Sequence, residues 1–346
     1  TSRGYPSDRI VTPIIINGDM SVAQRGTSAA SLTGSGYNTC DRWRMSASSL
    51  GTFTQSQSTT VPTGQGFSTS LKMDCTTADA SPGASDLLMI QNRLEGQNLQ
   101  LLKKGTSSAE VTTISFWVRS NKTGTYTLEI FDNDNSRHIS KTYTIDSANT
   151  WEKKIVSYAG DTSGTLGNDA NYSIALQWWL GAGSNYTSGT LATSWASQTT
   201  ANKVSSSQVN LADSTDNEWY ITGVQWEVGE FDSTSIPSFP FESFENNLIK
   251  CMRYYQKFGS TAATSCNMAN GMCYSANSSE VFFPTILPVV MRTGPTVSQN
   301  GTIAYRTPGG TKNLTLSSTA VSEKEVFINF SGSSLTSGDP GYIRNP

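Results

Sequence analysis

The chain has 346 residues, which is long enough for two domains, and it carries a net charge of −3 with a pI near 5.3. Only 15% of the residues are charged, and the sequence holds neither a basic cluster interleaved with aromatic residues nor an apolar run of about 18 residues. We therefore expect neither nucleic-acid binding nor membrane insertion.

Short apolar or alternating segments, bounded by Gly, Ser, Asn or Asp, recur through the first two thirds of the chain. This pattern predicts an all-β protein built as an antiparallel β-sandwich. The predicted strands lie at 12–16, 41–47, 67–74, 86–91, 111–119, 125–132, 139–145, 151–157, 172–181 and 218–228. Alternation alone does not distinguish a jelly roll from other Greek-key sandwiches.

The segment YSIALQWWLG (172–181) shows the two faces that a sandwich strand should have. Successive side chains of a strand point to opposite faces. We expect one face to be core, and it holds Tyr172, Ile174, Leu176, Trp178 and Leu180. Trp179 then lies beside Gln177 on the more polar face, and by the same argument Trp117 and Arg119 point away from the core.

A polar stretch of unusual length runs from Gly181 to Asn217 and includes Tyr186 and Trp195. Structureless loops longer than about 12–15 residues are uncommon, so this stretch is predicted to be functional, folded into short strands, or both. For Trp195 we favour an anchor for the loop over a platform for a ligand.

The turn FDNDNSRH (131–138) offers oxygen ligands at Asp132 and Asp134. Calcium prefers such ligands, which leaves a structural calcium ion open. The Gly and Glu of an EF-hand loop are absent, because Arg137 and Tyr143 occupy their places. An Asp/Asn-rich hairpin turn explains the same residues without a metal.

The segment IPSFPFES (236–243) is the clearest domain boundary, since its prolines forbid a continuing strand or helix. After it, Leu248, Met252 and Tyr255 recur at helical spacing and predict a short amphipathic helix. Short β segments at 281–287, 302–306, 313–317 and 325–330 then predict a small C-terminal β module.

Five cysteines, Cys40, Cys75, Cys251, Cys266 and Cys273, contain no C-x-x-C pair, and His138 is the only histidine. A structural zinc site is therefore not expected. The short separation of Cys266 and Cys273 along the chain allows a disulfide bridge between them, and this alternative is left open.

Three segments occur in an order that resembles a known family: IINGDMSVAQRGTS (15–28), YNTCDRWRM (37–45) and ITGVQWEVGEFDSTSIPSFPFESFENNLIKCMRYYQKF (221–258). They resemble bacteriophage tail-fibre and related virion-appendage proteins that carry a carbohydrate-binding-type jelly roll. The resemblance covers about residues 14–258 and extends weakly into FFPTILPVVMRTGPTVS (282–298).

The resemblance implies a jelly-roll topology, a homotrimer, a place in the virion tail or fibre, and assembly in the cytoplasm of a bacterial host, where free thiols are the rule. We expect an N-terminal connector at 1–13, a jelly-roll domain at 14–241, and a helix with a small β domain at 242–346. Because the chain starts at Thr1 and not Met, we expect it to be a fragment or processed product whose N-terminal attachment region is missing.

Sugar-binding sites combine aromatic faces with amide and carboxylate groups that pair with hydroxyls. The candidate glycan ligands are Trp179, Gln177, Tyr186, Asn185 and Trp195. Together with these residues, the resemblance implies a receptor-binding protein that recognises a host cell-surface polysaccharide, with other virion tail proteins as partners.

We expect no enzyme activity, because His138 stands alone and no G-x-S-x-G or H-E-x-x-H motif occurs. Two alternatives remain open. One is a structural decoration or connector protein of the virion that binds no glycan. The other is a glycan depolymerase, since two suitably placed carboxylates would suffice for hydrolysis.

Overall fold

The first part of the chain forms two antiparallel sheets in a computed structural model, which describes residues 13–258, 273–275, 279–307, 309–338 and 340–344. The strands in chain order are β1 Ser28–Leu32, β2 Gly36–Tyr37, β3 Trp43–Ser48, β4 Thr52–Ser58, β5 Ser70–Thr77, β6 Leu87–Glu95, β7 Thr112–Ser120, β8 Gly124–Asp132, β9 Arg137–Ile145, β10 Glu152–Tyr158, β11 Tyr172–Ala182, β12 Ala196–Ser197 and β13 Glu218–Val228.

One sheet has six strands in the order β1-β4-β5-β13-β7-β10, and the other has seven in the order β12-β9-β8-β11-β6-β3-β2. The chain passes repeatedly from one sheet to the other: β6, β8, β9 and β11 lie in the seven-stranded sheet, and β7, β10 and β13 in the six-stranded one. The predicted antiparallel sandwich of jelly-roll type is confirmed.

The core between the two sheets is aromatic and fully buried. The ring of Trp178 in β11 lies 5.5 Å from that of Trp43 in β3 and 5.7 Å from that of Phe116 in β7, the last pair nearly perpendicular. Edge-to-face aromatic contacts add to the free energy gained by burying their large apolar surface. The alternation within 172–181 therefore placed Trp178 in the core as expected.

Nine of the ten predicted strands of this part overlap observed strands, and the tenth, 12–16, is wrong over its described residues. Residues 13–16 form bends and turns that lead into Asn17, whose φ is 60°. The side chain of Asn17 accepts from the Val22 amide at 2.9 Å and donates to the Asp41 carbonyl at 2.8 Å. These bonds hold the segment as a turn.

The three segments that carry the family resemblance meet in this structure. The indole Nε1 of Trp43 donates to the Asn17 carbonyl at 2.8 Å, and the Asn17 amide donates to Asn247 Oδ1 at 3.0 Å. Asn247 is 4% exposed and also donates from Nδ2 to Asp19 Oδ1 at 3.1 Å. A buried polar network therefore joins the three segments in the fold.

Helix α1, Ser184–Thr187, and four 3-10 segments interrupt the connections of the sandwich; α2, Phe244–Met252, follows the proline-rich segment. The 3-10 segments are Gly96–Asn98, Gln100–Leu102, Thr200–Asn202 and Leu211–Asp213. The long stretch after β11 is therefore folded into short elements: α1, β12 and two of these turns.

The chain divides into two compact units, Thr1–Cys251 and Met252–Pro346. The second unit contains a closed antiparallel barrel in the order β14-β15-β18-β17-β16-β19. Its strands are β14 Cys273–Ser275, β15 Glu280–Ile286, β16 Ile303–Thr307, β17 Gly310–Val321, β18 Glu325–Gly332 and β19 Pro340–Arg344. All four predicted C-terminal strands overlap one of them, and Phe283, Tyr305 and Phe330 lie in the barrel core.

Cys40, Cys75 and Cys251 are buried free thiols. The bridge suggested between Cys266 and Cys273 lies outside the residues whose side chains the structure describes. Within the described ranges, no helix has the length and apolar character needed to cross a bilayer.

Candidate functional site: the outer face of the seven-stranded sheet

The outer face of the seven-stranded sheet, the side turned away from the core, carries a continuous row of polar side chains. Strand pairing aligns Ser140 with Glu129, Glu129 with Gln177, Gln177 with Gln91, Gln91 with Arg44, and Arg44 with Tyr37. Directly opposed residues have Cβ atoms about 4.5–5.5 Å apart. The row therefore crosses β9, β8, β11, β6, β3 and β2 without a break.

One half of this outer face is covered by the long stretch after β11. Trp179 is 1% exposed and packs with Met89 and Val204. The ring of Tyr186, from α1, lies 5.3 Å from that of Trp179. The hydroxyl of Ser140 donates to the Lys203 carbonyl at 2.8 Å. We call this region the covered half.

The covered half is organised around the carboxylate of Glu129, which is fully buried. Its Oε2 accepts from Trp179 Nε1 at 2.9 Å, and its Oε1 lies 3.1 Å from His138 Nδ1 and 3.7 Å from Lys203 Nζ. A buried carboxylate needs such partners to offset the loss of its hydration. Both oxygens of Glu129 are therefore used to hold the covered half together.

The other half, which we call the open half, holds two partly exposed arginines and two partly exposed tyrosines: Arg44, Arg93, Tyr37 and Tyr172. Arg44 Nη1 and Arg93 Nη2 both donate to the same atom, Gln91 Oε1, at 3.2 Å each. Gln91 is 5% exposed. One buried amide oxygen therefore holds two guanidinium groups side by side.

No carboxylate of the described residues pairs with either Arg44 or Arg93. Burial, together with the neighbouring charge of Arg93, lowers the pKa of the Arg44 guanidinium from its usual value. The Nε of Arg93 is buried and donates no hydrogen bond within the part of the chain that the structure describes. The open half is therefore a positively charged surface with donors to spare.

Tyr172 forms the aromatic floor of the open half. The guanidinium carbon of Arg93 lies 4.8 Å from the centre of its ring, within the range of a cation–π contact. Burial raises the pKa of the Tyr172 hydroxyl to about 12. The tyrosine therefore remains a neutral donor and acceptor at any physiological pH.

Gln177 lies at the border of the two halves. It is 4% exposed, and its amide makes no hydrogen bond to any residue that the structure describes. Such a group is an available donor and acceptor for a ligand hydroxyl.

The five residues that the sequence offered as glycan ligands do not form one site. Trp179 and Tyr186 are in contact, but Trp179 is sealed beneath the cover and Tyr186 is part of it. Asn185 is exposed and donates to Ser85 Oγ at 2.9 Å. Only Gln177 borders the open half.

Trp195 lies apart from the other four and behaves as an anchor. Its Nε1 donates to the Ala159 carbonyl at 2.7 Å, and Lys104 Nζ lies 5.1 Å from the centre of its ring. Its neighbour Ala196 pairs with His138 at the edge of the sheet. These contacts fix the long stretch to the sandwich.

The residues suggested for calcium, Asp132 and Asp134, have protein partners in this structure. Asp132 is fully buried and accepts from Lys104 Nζ at 2.5 Å and Asn135 Nδ2 at 2.9 Å, while Asp134 accepts from the Gly167 amide at 2.9 Å. Lys104 thus already neutralises the carboxylate that the sequence offered to a cation. Within the described ranges, no three His, Cys, Asp or Glu side chains cluster closely enough to hold a metal ion.

Sequence reasoning missed the arginines of the open half and misplaced its tyrosine. Tyr172 was assigned to the core, but a bulge between Tyr172 and Ile174 breaks the alternation and pairs Tyr172 with Glu95. The signal for the others was present: Gln91 and Arg93 stand at alternate positions in LLMIQNRLE, where an outward polar face is expected.

No family model matches this chain, and no curated protein matches it. Some solved structures share a remote likeness. The enzymatically active domain of bacteriophage CBA120 tailspike protein 4 is 13% identical with a TM-score of 0.33; the match covers 62% of this chain and 21% of that chain. This chain thus spans about a fifth of the tailspike domain.

Two sugar-binding structures show a similar degree of likeness. A putative sugar binding protein from Bacteroides thetaiotaomicron is 10% identical with a TM-score of 0.34, over 63% of this chain and all (100%) of that one. The family 11 carbohydrate-binding module of a Clostridium thermocellum cellulase is 13% identical with a TM-score of 0.27, over 58% and 98%.

Proposed function

We propose that this chain binds a bacterial cell-surface polysaccharide, without cleaving it, through the open half of the seven-stranded sheet's outer face. The observation that carries the proposal is the row of polar side chains from Gln177 to Tyr37, which ends in an uncovered surface of amides, guanidiniums and tyrosines. These are the residue types that saccharide hydroxyls and pyranose C–H faces require.

The geometry favours binding because the side chains are held before a ligand arrives. Each lies on a strand of a paired sheet, and Gln91 fixes both arginines. Side chains that are already ordered lose less conformational entropy on binding. Gln177, with its amide unpaired, gains a hydrogen bond at the border of the site.

We further propose that the chain acts as a homotrimeric receptor-binding protein of a phage tail fibre, with other tail proteins as partners. Its support is the resemblance carried by three segments, 15–28, 37–45 and 221–258, which one buried network joins. Repetition of a weak sugar site around a fibre axis raises overall avidity without new contacts. Light scattering of the full chain at two concentrations tests this assignment, and a concentration-independent trimer is the expected result.

The test of glycan binding uses a panel of bacterial capsular and lipopolysaccharide glycans and a pair of matched variants of the full chain. Tyr172→Ala removes the aromatic floor of the open half, where Arg93 lies 4.8 Å from the ring. Tyr220→Ala is the control, because Arg119 lies 4.9 Å from that ring on the outer face of the other sheet. We expect Tyr172→Ala to weaken binding about tenfold or more and Tyr220→Ala to bind as the wild type does.

Other results would point elsewhere. Wild-type binding by Tyr172→Ala, with an unchanged melting curve, would place the sugar away from the open half. Binding to no member of the panel would favour the decoration or connector alternative. Reducing ends that accumulate with time would identify a depolymerase.

A further inference from the structure

We infer that the sugar recognised by the open half is acidic, and that its anionic group binds between Arg44 and Arg93. This inference rests on the proposed function and specifies the class of glycan. It is carried by two guanidinium groups tethered to one oxygen, Gln91 Oε1, with no carboxylate among the described residues to neutralise them.

Two neighbouring cations repel each other, and a folded protein ordinarily separates them or supplies an anion. Here Arg44 and Arg93 are drawn together by Gln91, which carries no charge. Strand β3 pairs with β6 so that Arg44 lies directly opposite Gln91, and Arg93 follows two residues later on the same face. The pairing of β3 with β6 therefore holds the two guanidinium groups close together. An anion placed between Arg44 and Arg93 would relieve their repulsion.

The hydrogen-bonding capacity of the pair also calls for an acceptor. A guanidinium group carries five N–H donors in a planar fork and no acceptor. Arg44 and Arg93 are both partly exposed, and each uses only one Nη nitrogen on Gln91. Two oxygens of one anionic group match such a fork.

Internal acids near the site are already engaged and do not compete. Glu129 lies two strands from Gln91, with Gln177 between them, and is held by Trp179 and His138. Glu95 is 2% exposed and accepts from Gln97 Nε2 at 2.6 Å. The anion must therefore come from the ligand.

A uronic acid carboxylate and a sugar-bound phosphate share the required chemistry, a compact group with two or more equivalent oxygens. On a saccharide chain, such a group beside Arg44 and Arg93 leaves the neighbouring ring hydroxyls for Gln177 and the pyranose face for Tyr172. Both the charge and the neutral contacts then contribute to specificity.

The experiment measures binding of the full chain to acidic polysaccharides in matched pairs. Uronate polymers are compared with their carboxyl-reduced neutral forms, and phosphate-bearing polymers with their dephosphorylated forms. The linkages are the same within each pair, so only the charge differs. The variants are Arg44→Gln and Arg93→Gln, with Arg119→Gln as the control on the other outer face.

We expect the acidic member of at least one pair to bind, and its affinity to fall about tenfold or more on removal of the acid or on either substitution in the open half. Arg119→Gln should retain wild-type affinity, and added salt should weaken binding of the acidic polymer. Loss of affinity on carboxyl reduction identifies a uronate, whereas loss on dephosphorylation identifies a phosphate.

Two outcomes would overturn the inference and are distinguishable. If neutral and acidic members bind equally and the arginine variants bind as the wild type does, the glycan is neutral and the proposed function stands without this inference. If no polymer binds, the proposed function fails together with it. Thermal melting of each variant, followed by tryptophan fluorescence, separates loss of contact from loss of fold.

Discussion

The two outer faces of the sandwich differ in whether their cationic side chains are paired with a carboxylate. On the six-stranded sheet, Glu218 Oε1 accepts from Arg119 at 3.0 Å, and its Oε2 lies 2.9 Å from Lys72 Nζ. On the seven-stranded sheet, Arg44 and Arg93 share only the neutral oxygen of Gln91. A face whose charges are balanced internally offers little to an anion, and a face that leaves them unbalanced is suited to bind one.

The seven-stranded sheet repeats this contrast within itself. In its covered half, Glu129 is fully buried and its oxygens are satisfied by Trp179, His138 and Lys203. In its open half, the amide of Gln177 has no partner within the described structure, and Arg44 and Arg93 each use one Nη nitrogen on Gln91. Polar groups that are already paired within the protein stabilise its fold, while unpaired polar groups can still form hydrogen bonds to a ligand.

The largest effect is expected from breaking the covered half. Glu129→Ala leaves His138 and Trp179 without the acceptor they share, inside a region with no access to water. Removing one partner of a buried charged network costs about 3–5 kcal/mol of unfolding free energy. Urea denaturation followed by tryptophan fluorescence measures this, and it reports on the sandwich because all eight tryptophans lie between Trp43 and Trp226.

Glu218→Ala is the matched control for that measurement. Its side chain is 22% exposed, so the same truncation on the six-stranded sheet should cost only about 1 kcal/mol. Equal losses in the two variants would show that the covered half is no more tightly organised than the opposite face.

A smaller effect is expected from giving the open half the internal acid that it lacks. Gln91→Glu keeps the size of the side chain and places a carboxylate against Arg44 and Arg93, as Glu218 lies against Arg119 and Lys72. Charge-assisted hydrogen bonds are about twice as strong as neutral ones, so unfolding free energy should rise by about 1 kcal/mol. Binding of an acidic polysaccharide should weaken about tenfold, because the arginines are now neutralised.

Gln91→Leu supplies the control, since it removes the tether without adding a charge. It should weaken binding less than Gln91→Glu does. Undiminished binding by Gln91→Glu would contradict the assignment of the arginines to the ligand.

Much of the fold follows from the sequence, because it depends on local alternation. Trp178 and Trp179 were assigned to opposite faces of β11 from their positions alone, and the structure agrees. Strand β4 was not predicted because its sequence, TFTQSQS, contains only one apolar residue. Its Gln55 faces the core and is fully buried, with hydrogen bonds to Thr39 and Met73. A buried glutamine imitates a surface residue in any hydrophobicity pattern.

The candidate site was harder to predict, since it depends on strand order and on a bulge. Arg44 and Gln91 are brought together by the pairing of β3 with β6, which no local pattern encodes. Tyr172 reaches the outer face only because a bulge shifts its register. Trp179 lies on the predicted outer face, but it is buried and not exposed. The segment that covers it comes later in the chain, so the local pattern does not reveal it.

The smallest expected effect concerns the pH dependence of the balanced face. Burial alone would raise the pKa of Glu218, but the hydrogen bonds from Lys72, Tyr220 and Arg119 outweigh it and hold the pKa below its usual value of 4.5. A carboxylate with a lowered folded-state pKa stabilises the fold above its unfolded-state pKa, and that contribution disappears as pH falls through the folded-state value. The difference in urea midpoint between the wild type and Glu218→Gln should therefore be constant near neutral pH and should vanish progressively below pH 4.5.

Gln91→Glu should acquire the same acid dependence relative to the wild type, because it turns the open half into a second balanced face. A midpoint difference in either variant that persists unchanged into acid would show that its ion pairs contribute nothing to stability.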